Sequence, residues 1–474
     1  MNLIRSYPDF NLFLIFLKNI NIILAMKLSF FGAAKTVTGS NYLLETKDKN
    51  ILIDCGLFQG STEFEKKNKE PFPYDPKKID FVILTHAHLD HVGRLPMLVK
   101  NGFEGKVFAT PPTIDFVKLL LEDAFNIQEE KLFSRSDLEK TFSLFEPVEY
   151  HKKISFGKNV SFKFLEAGHI LGAIIVEIFA QKKKIVFSGD LGNPPVPLIK
   201  PTEFPSSADY VVIESTYGDK THKDFLKRKD FLEDTIEEVV KKGGVLLIPA
   251  FAIERTQELL YELNELAENR RIPKVPVFLD SPLAIKSVDV YKRHEKYYNK
   301  EAAYLLKTGD QIFDFPGLVF TRNVKDSKKI NNIPAPKIII AGSGMSTGGR
   351  ILHHEKMYLS NSRNTFLIIC YQVEGTLGRK IAEGDKEVEV MGEKIPVLAQ
   401  IKRIEGYSAH ADQDTLFRWL YSIKSSAQIK EEHLLKKVFV VHGEEKPAEG
   451  FSQVVKDKLG LECEIPGYGN SFEL

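Results

Sequence analysis

The segment Thr85-His86-Ala87-His88-Leu89-Asp90-His91 limits what this chain can be more than any other feature. It directly follows the apolar run Phe81-Val82-Ile83-Leu84, which reads as a short buried strand. Three histidines and an aspartate within six residues are hard to accommodate as packing, because every buried polar group needs a partner. Neutral imidazole and carboxylate are standard zinc ligands. On a strand-end loop, alternate residues turn toward one point while their neighbours serve a second. His86 and His88 therefore suit one metal, and Asp90 and His91 another. A polar turn with capping residues is the alternative, and the density of ligand types argues against it.

One loop cannot fill two tetrahedral shells. Three other strand ends offer donors: His169 after the run ending at Leu165, Asp190 after Lys184 to Phe187, and His442 after Val438 to Val441. A lone histidine at a strand end is usually a satisfied polar residue, so each is weak alone. As a set they complete two sites: His86, His88 and His169 for the first metal, Asp90, His91 and His442 for the second, with Asp190 bridging. A hydroxide between two metals about 3.5–4 Å apart is a strong nucleophile at neutral pH, and the same metals neutralise charge developing on a phosphodiester. Asp54, ending Ile51-Leu52-Ile53, is placed either to orient a ligand histidine or simply to make the turn before Gly56. Zinc is expected by ligand type, two ions per chain, and manganese fits the same shells.

From Lys27 the pattern is one of short apolar strands separated by Gly and polar turns. After about residue 207 strands alternate with helical stretches, as in a parallel, Rossmann-like sheet, and near residue 400 the strand-rich texture returns. One domain interrupted by another is the simplest organisation. The 474 residues are 43% hydrophobic, ample for such a core. Net charge is +1, from 65 basic and 64 acidic residues, so no global field draws in a polyanion. The three cysteines, Cys55, Cys370 and Cys463, form neither a zinc pattern nor a disulfide framework, which points to a reducing, cytoplasmic compartment. Residues 1–25 carry an apolar run interrupted by Lys18, Asn19 and Asn21, too short and polar to span a membrane. No membrane association is expected. Met26 reads as the natural start, with residues 1–25 an upstream extension.

The chain resembles the β-CASP nucleases, a branch of the metallo-β-lactamase superfamily. Asp54, the His86 to His91 segment, His169 and Asp190 look like the superfamily's first four motifs in order. Glu214 in Glu214-Ser215-Thr216-Tyr217-Gly218, His410 in Ser408-Ala409-His410-Ala411-Asp412 and His442 in Val441-His442-Gly443-Glu444 look like the branch's motifs A, B and C. The resemblance implies an α/β fold: a metallo-β-lactamase αββα sandwich (26–206 and 401–474) interrupted by an inserted Rossmann-like β-CASP domain (207–400). It implies that His410 protonates the leaving 3′-oxygen and that Glu214 orients it. A histidine at motif C goes with RNA enzymes in the family, so His442 points to RNA as the partner. Dimers are common in the family, and a homodimer is expected.

Within the insert, Gly342-Ser343-Gly344-Met345 opens a Gly-rich turn after the apolar strand Lys337 to Ile340. Backbone amides at such a turn cradle phosphate. It is similar to the β-CASP segment that contacts the nucleic-acid backbone, which makes Ser343, Gly344 and Met345 candidate RNA contacts. Arg255 and Arg379 read equally well as phosphate contacts or as structural salt bridges. The expected activity is an endoribonuclease leaving a 5′-phosphate and a 3′-hydroxyl. A 5′-to-3′ exoribonuclease and a hydrolase of small esters or thioesters are the alternatives. The insert of roughly 200 residues disfavours the small-ester hydrolase, since a small substrate needs no such domain.

Overall fold

The computed structural model describes residues 25–474 except 61, 129, 223–226 and 431. The expected upstream extension, residues 1–25, falls outside the described residues but for Ala25, which is exposed coil.

The first sheet is built from β1 (Lys27–Phe30), β2 (Tyr42–Glu45), β3 (Asn50–Ile53), β4 (Phe81–Ile83), β5 (Lys106–Ala109) and β6 (Phe145–Pro147). The second takes β7 (Ile154–Ser155), β8 (Val160–Glu166), β9 (Ile174–Ala180), β10 (Lys183–Phe187) and β11 (Tyr210–Glu214). The chain then leaves for a third sheet: β12 (Val245–Pro249), β13 (Val277–Leu279), β14 (Leu318–Phe320), β15 (Lys337–Ala341) and β16 (Thr365–Ile368). A separate hairpin of β17 (Glu387–Val390) and β18 (Glu393–Pro396) precedes β19 (Gln400–Arg403), which joins the third sheet at its edge. The return leg supplies β20 (Lys437–Val441) and β21 (Cys463–Glu464) to the second sheet and β22 (Ser471–Glu473) to the first.

The first two sheets face one another across an aromatic layer. Phe30, Phe81, Phe162, Phe187 and Phe439 come from strands of both sheets and lie in one buried cluster. The Phe81 and Phe162 rings meet at 5.7 Å and those of Phe30 and Phe439 at 5.3 Å. Each ring removed from water contributes about 1.5–3 kcal/mol. Helices such as Pro111–Ile127 and Gln413–Lys430 contribute Phe116, Leu121, Leu416 and Trp419 to the larger core cluster outside this layer.

In the third sheet every pairing is parallel, in the order β14-β13-β15-β12-β16-β19. Its central strands are wholly buried and apolar except for Lys337, whose Nζ donates to the Ile330 and Ile333 carbonyls, as strands covered on both faces by crossover helices must be. The chain is thus a two-sheet sandwich with an inserted Rossmann-like domain, the architecture that the resemblance implies. Strand pairing places two strands differently from the expected boundaries. Tyr210–Glu214, expected to open the insert, lies in the sandwich between β10 and β20, in parallel register with both. Gln400–Arg403 pairs with β16 and so extends the inserted sheet past residue 400. Periodicity reports that a strand is buried, not which sheet it joins. No helix among the described residues is long and apolar enough to cross a membrane.

Candidate metal centre

Six loops at the carboxyl ends of sandwich strands converge on one spot. Asp54 follows β3, His86 to His91 follow β4, His169 follows β8, Asp190 follows β10, Glu214 ends β11 and His442 follows β20. Sharp turns aim these side chains inward. Gly168 and Gly189 adopt φ of 69° and 55°, and a Cβ on Gly189 would lie 2.9 Å from both the Ile174 carbonyl and Thr85. Asp54 and His442 hold left-handed φ of 60° and 47° without being glycine, a strain of order 1 kcal/mol each.

The histidine-rich donors fall into two groups, and Asp190, Glu214 and His410 make a further set that shares Asp190. His86, His88, His169 and Asp190 present one ligand atom each within 4.8 Å of one another, and so do Asp90, His91 and His442. Ring nitrogens point at each other within each group: His86 Nε2 to His88 Nδ1 at 3.0 Å, His169 Nε2 to His88 Nδ1 at 3.2 Å, and His91 Nε2 to His442 Nε2 at 3.1 Å. Zinc–nitrogen bonds of about 2.0–2.1 Å in a tetrahedron give nitrogen separations of roughly 3.3 Å. Asp190 stands between the groups. Its Oδ2 lies 3.4 Å from His86 and 3.6 Å from His169, while its Oδ1 lies 3.4 Å from His91 and 3.8 Å from His442. That Oδ1 is buried with no hydrogen-bond partner among the described residues. A lone carboxylate oxygen aimed into a ring of imidazoles fits a cation, because leaving it unpaired is otherwise costly.

The electrostatics agree. Burial drives the imidazoles of His86 and His169 well below their ordinary range and His88 down to about 4, keeping all three neutral and able to ligate. Burial also penalises a charge on His91, but Asp190, Asp54 and Asp90 overcome it and favour positive charge there. Asp54 accepts from His91 Nδ1 at 2.7 Å, from the Thr85 amide at 2.7 Å and from the Thr85 hydroxyl at 2.8 Å. It fixes the ring of His91 rather than merely making the turn before Gly56.

His410 reaches the centre from the inserted sheet. It lies in the loop after β19, held by the Ala411 amide on the Leu191 carbonyl at 2.8 Å. Its Nδ1 sits 3.1 Å from Glu214 Oε2 and 3.9 Å from Asp190 Oδ2. Burial alone would lower this imidazole, but Glu214 and Asp190 outweigh it and hold it up at about 9. Glu214 is itself fixed by the Leu191 amide at 2.6 Å.

Comparison with known proteins places this arrangement. The Metallo-beta-lactamase superfamily matches residues 35–210, the Beta-Casp domain 256–381, and the Zn-dependent metallo-hydrolase RNA specificity domain 394–466. A ribonuclease of Thermus thermophilus is 39% identical over 421 residues, covering 89% of this chain and 94% of that one. The chain belongs to the β-CASP branch of the metallo-β-lactamase superfamily. An RNase J-like protein of Methanocaldococcus jannaschii is 30% identical, covering 93% of this chain and 98% of its own. A transcription termination factor of Methanosarcina mazei is 31% identical, covering 92% of this chain and 70% of its own. A solved structure of a protein of unknown function from Enterococcus faecalis V583 shares the fold, with TM-score 0.56 at 13% identity, covering 95% of this chain and all of that one (100%). The β-CASP protein is therefore a metal-dependent hydrolase.

In its β-CASP domain the Gly-rich turn follows β15. Ser343 Oγ accepts from the Thr347 amide at 2.9 Å and shapes the loop from within. The amides of Gly344 and Met345 make no hydrogen bond among the described residues, which leaves two donors for an anion. Arg379 is partly exposed at the start of helix Leu377–Glu383 and pairs with Glu383 at 2.6 Å. Arg255 corrects the expectation of a phosphate contact. It is 5% exposed, paired with Glu258, and donates to the Tyr407 carbonyl at 2.7 Å. A cation buried at a helix start with a carboxylate three residues on is committed to the fold. Arg228 does the same for the Gly406 carbonyl at 3.0 Å while paired with Glu262 at 2.7 Å. The two arginines thus hold the strap leading to His410.

Several supporting residues escaped the sequence reading. Thr85 bridges Asp54 and the ring nitrogens of His86 and His91, at 3.1 and 3.3 Å, and Thr216 Oγ1 lies 3.2 Å from His442 Nδ1. Their adjacency to His86 and Glu214 was the available signal. Buried Asp280 collects Thr321, Ser327, Arg350 and His354, partners dispersed over the insert with no motif to announce them.

Proposed function

We propose that this chain is a zinc-dependent endoribonuclease that leaves a 5′-phosphate and a 3′-hydroxyl. Three things support RNA as its substrate: the match to the RNA specificity domain, the ribonuclease name of a 39% identical relative, and the motif C histidine His442. The observation that carries the reading is His410, clamped on Glu214 beside the two donor groups that share Asp190.

His86, His88 and His169 would hold one cation and Asp90, His91 and His442 the other, with one oxygen of Asp190 turned to each. Bound there, divalent cations supply Lewis acidity, lowering the pKa of water and neutralising charge on a phosphoryl oxygen. The protein's own residues do the rest. Asp54 and Thr85 fix the ring of His91. Glu214 fixes the Nδ1 side of His410, so its Nε2 is free to carry a proton to the departing 3′-oxygen. The carboxylates around His410 favour the imidazolium, and positive charge at the neighbouring donor groups would draw its pKa back toward neutrality, where proton donation is efficient. The free amides of Gly344 and Met345 receive the backbone away from the cut.

The test is one assay on the full chain with zinc and internally labelled single-stranded RNA, with Asp190→Ala alongside. Discrete internal fragments, absent in the variant, are expected. Release of mononucleotides would make it an exonuclease. Intact RNA with zinc bound would sink the ribonuclease reading and favour a small-ester hydrolase.

A further inference from the structure

A phosphodiester at the metal centre turns its backbone toward the donor groups and His410, so the flanking bases must find places of their own. Two large aromatic side chains stand exposed on loops beside that path, Phe251 at 37% and Tyr371 at 53%. Scattered exposed aromatics are ordinary. These two are set apart by what surrounds them.

Phe251 comes two residues after β12 and Tyr371 three residues after β16. In the sheet, β15, β12, β16 and β19 are consecutive neighbours. Their carboxyl ends therefore carry, in a row, the Gly-rich turn, Phe251, Tyr371 and the His410 loop. At about 4.8 Å between strands the row spans roughly 15 Å. Ligands of open parallel sheets bind along this edge.

Local contacts tie the row together. Gly344 lies against one side of Phe251, where a Cβ would come within 3.1 Å of the ring. Gln372, next to Tyr371, donates to the Gly344 carbonyl at 2.9 Å. The Tyr371 ring meets Tyr217 edge-on at 6.4 Å, and Tyr217 lies 6.4 Å from the His410 ring. The charges that bear on Tyr371 are those of Glu444, Arg379, Glu374 and Asp219, so Arg379 acts on the ring alongside three carboxylates. An exposed π-face between a phosphate cradle and a general acid has the chemistry that single-stranded nucleic acid requires: amides and cations for the backbone, rings for the bases.

We propose that Phe251 and Tyr371 are a nucleobase-stacking platform that receives bases flanking the scissile phosphodiester of single-stranded RNA. This rests on the ribonuclease reading above. Stacking tolerates any base, so the platform confers single-strand preference rather than sequence preference.

Binding is measured by fluorescence anisotropy in a His410→Ala background, with zinc, using an end-labelled single-stranded oligoribonucleotide and a set carrying one abasic nucleotide at successive positions. Tyr371→Ala and Tyr371→Leu are expected to weaken binding roughly 5- to 100-fold, and Tyr371→Phe to retain it. Phe251→Leu should act likewise at another position. The loss should vanish for the one probe that lacks the stacked base. Hydrolysis of the small diester bis(p-nitrophenyl) phosphate by the parent enzyme reports the metal centre, and the metal content and melting temperature of the Tyr371 and Phe251 variants should match the parent's. Unaltered RNA affinity in Tyr371→Ala, or a loss equal for every abasic probe, would overturn the platform. A parent enzyme that hydrolyses the small diester but neither binds nor cuts RNA would overturn the ribonuclease reading as well.

Discussion

Replacing Arg255 by Met separates two roles for the same arginine. Arg255 and its partner Glu258 are 5% and 1% exposed, and the guanidinium also donates to the Tyr407 carbonyl at 2.7 Å. Removing the cation strands a buried carboxylate whose charge burial already disfavours. Breaking one side of a buried pair costs about 3–5 kcal/mol. At about 2–4 °C per kcal/mol for a domain of this class, the melting temperature should fall by roughly 6–20 °C. A double variant, Arg255→Met with Glu258→Leu, removes both charges and should recover most of that loss. Tyr407 lies three residues before His410, so a loosened strap should lower kcat while bound metal stays at the parent level. A phosphate contact would behave otherwise. Melting would be unchanged, RNA affinity would fall, and the slope of log K against log salt would shrink by about 0.7 for one lost contact to a single strand. Differential scanning calorimetry with salt-titrated RNA binding measures both. Unchanged melting together with a reduced salt slope would refute the buried-strap assignment.

Asp190→Ala should lose both metals by elemental analysis, since its two oxygens face both donor groups; two ions retained per chain would contradict a bridging role. His410→Ala should keep its metal and lose about 10²- to 10⁴-fold in RNA cleavage, whereas metal loss would place His410 among the ligands. Thr85→Val removes the hydroxyl on Asp54 and should weaken metal binding about 10- to 100-fold in chelator competition with little change in fold. Burial pushes Glu166 up to about 8, only partly offset by the Gly168 amide, Tyr150 and Lys200. Between its ordinary 4.5 and 8 the folded state holds a proton that the unfolded state has released, so stability falls as pH rises through that window. Glu166→Gln should therefore gain melting temperature relative to the parent from pH 5 to pH 8; a constant difference would show that Glu166 does not titrate there.

The candidate ligand residues were legible in the sequence because coordination chemistry demands unusual residue types at strand ends, and such residues stand out against an apolar background. His86, His88, Asp90 and His91 are close together in the chain; the strand preceding His169 announces itself by alternation, and those preceding Asp190 and His442 by apolar runs. The α/β class and the presence of an insert followed from the switch between strand-rich and alternating texture. Tertiary structure decided what depends on pairing. It assigned Tyr210–Glu214 to the sandwich and Gln400–Arg403 to the insert, because register and neighbour are properties of two strands, not one. It turned Arg255 inward, because whether an arginine meets phosphate or Glu258 depends on which face of helix Arg255–Glu268 is covered. It also brought Glu214 and His410 to 3.1 Å across 196 positions, and it set Phe251 and Tyr371 after neighbouring strands of the inserted sheet. Local composition fixes which chemistry a chain can carry out; only long-range packing, which pairs residues far apart in sequence, fixes where that chemistry is aimed.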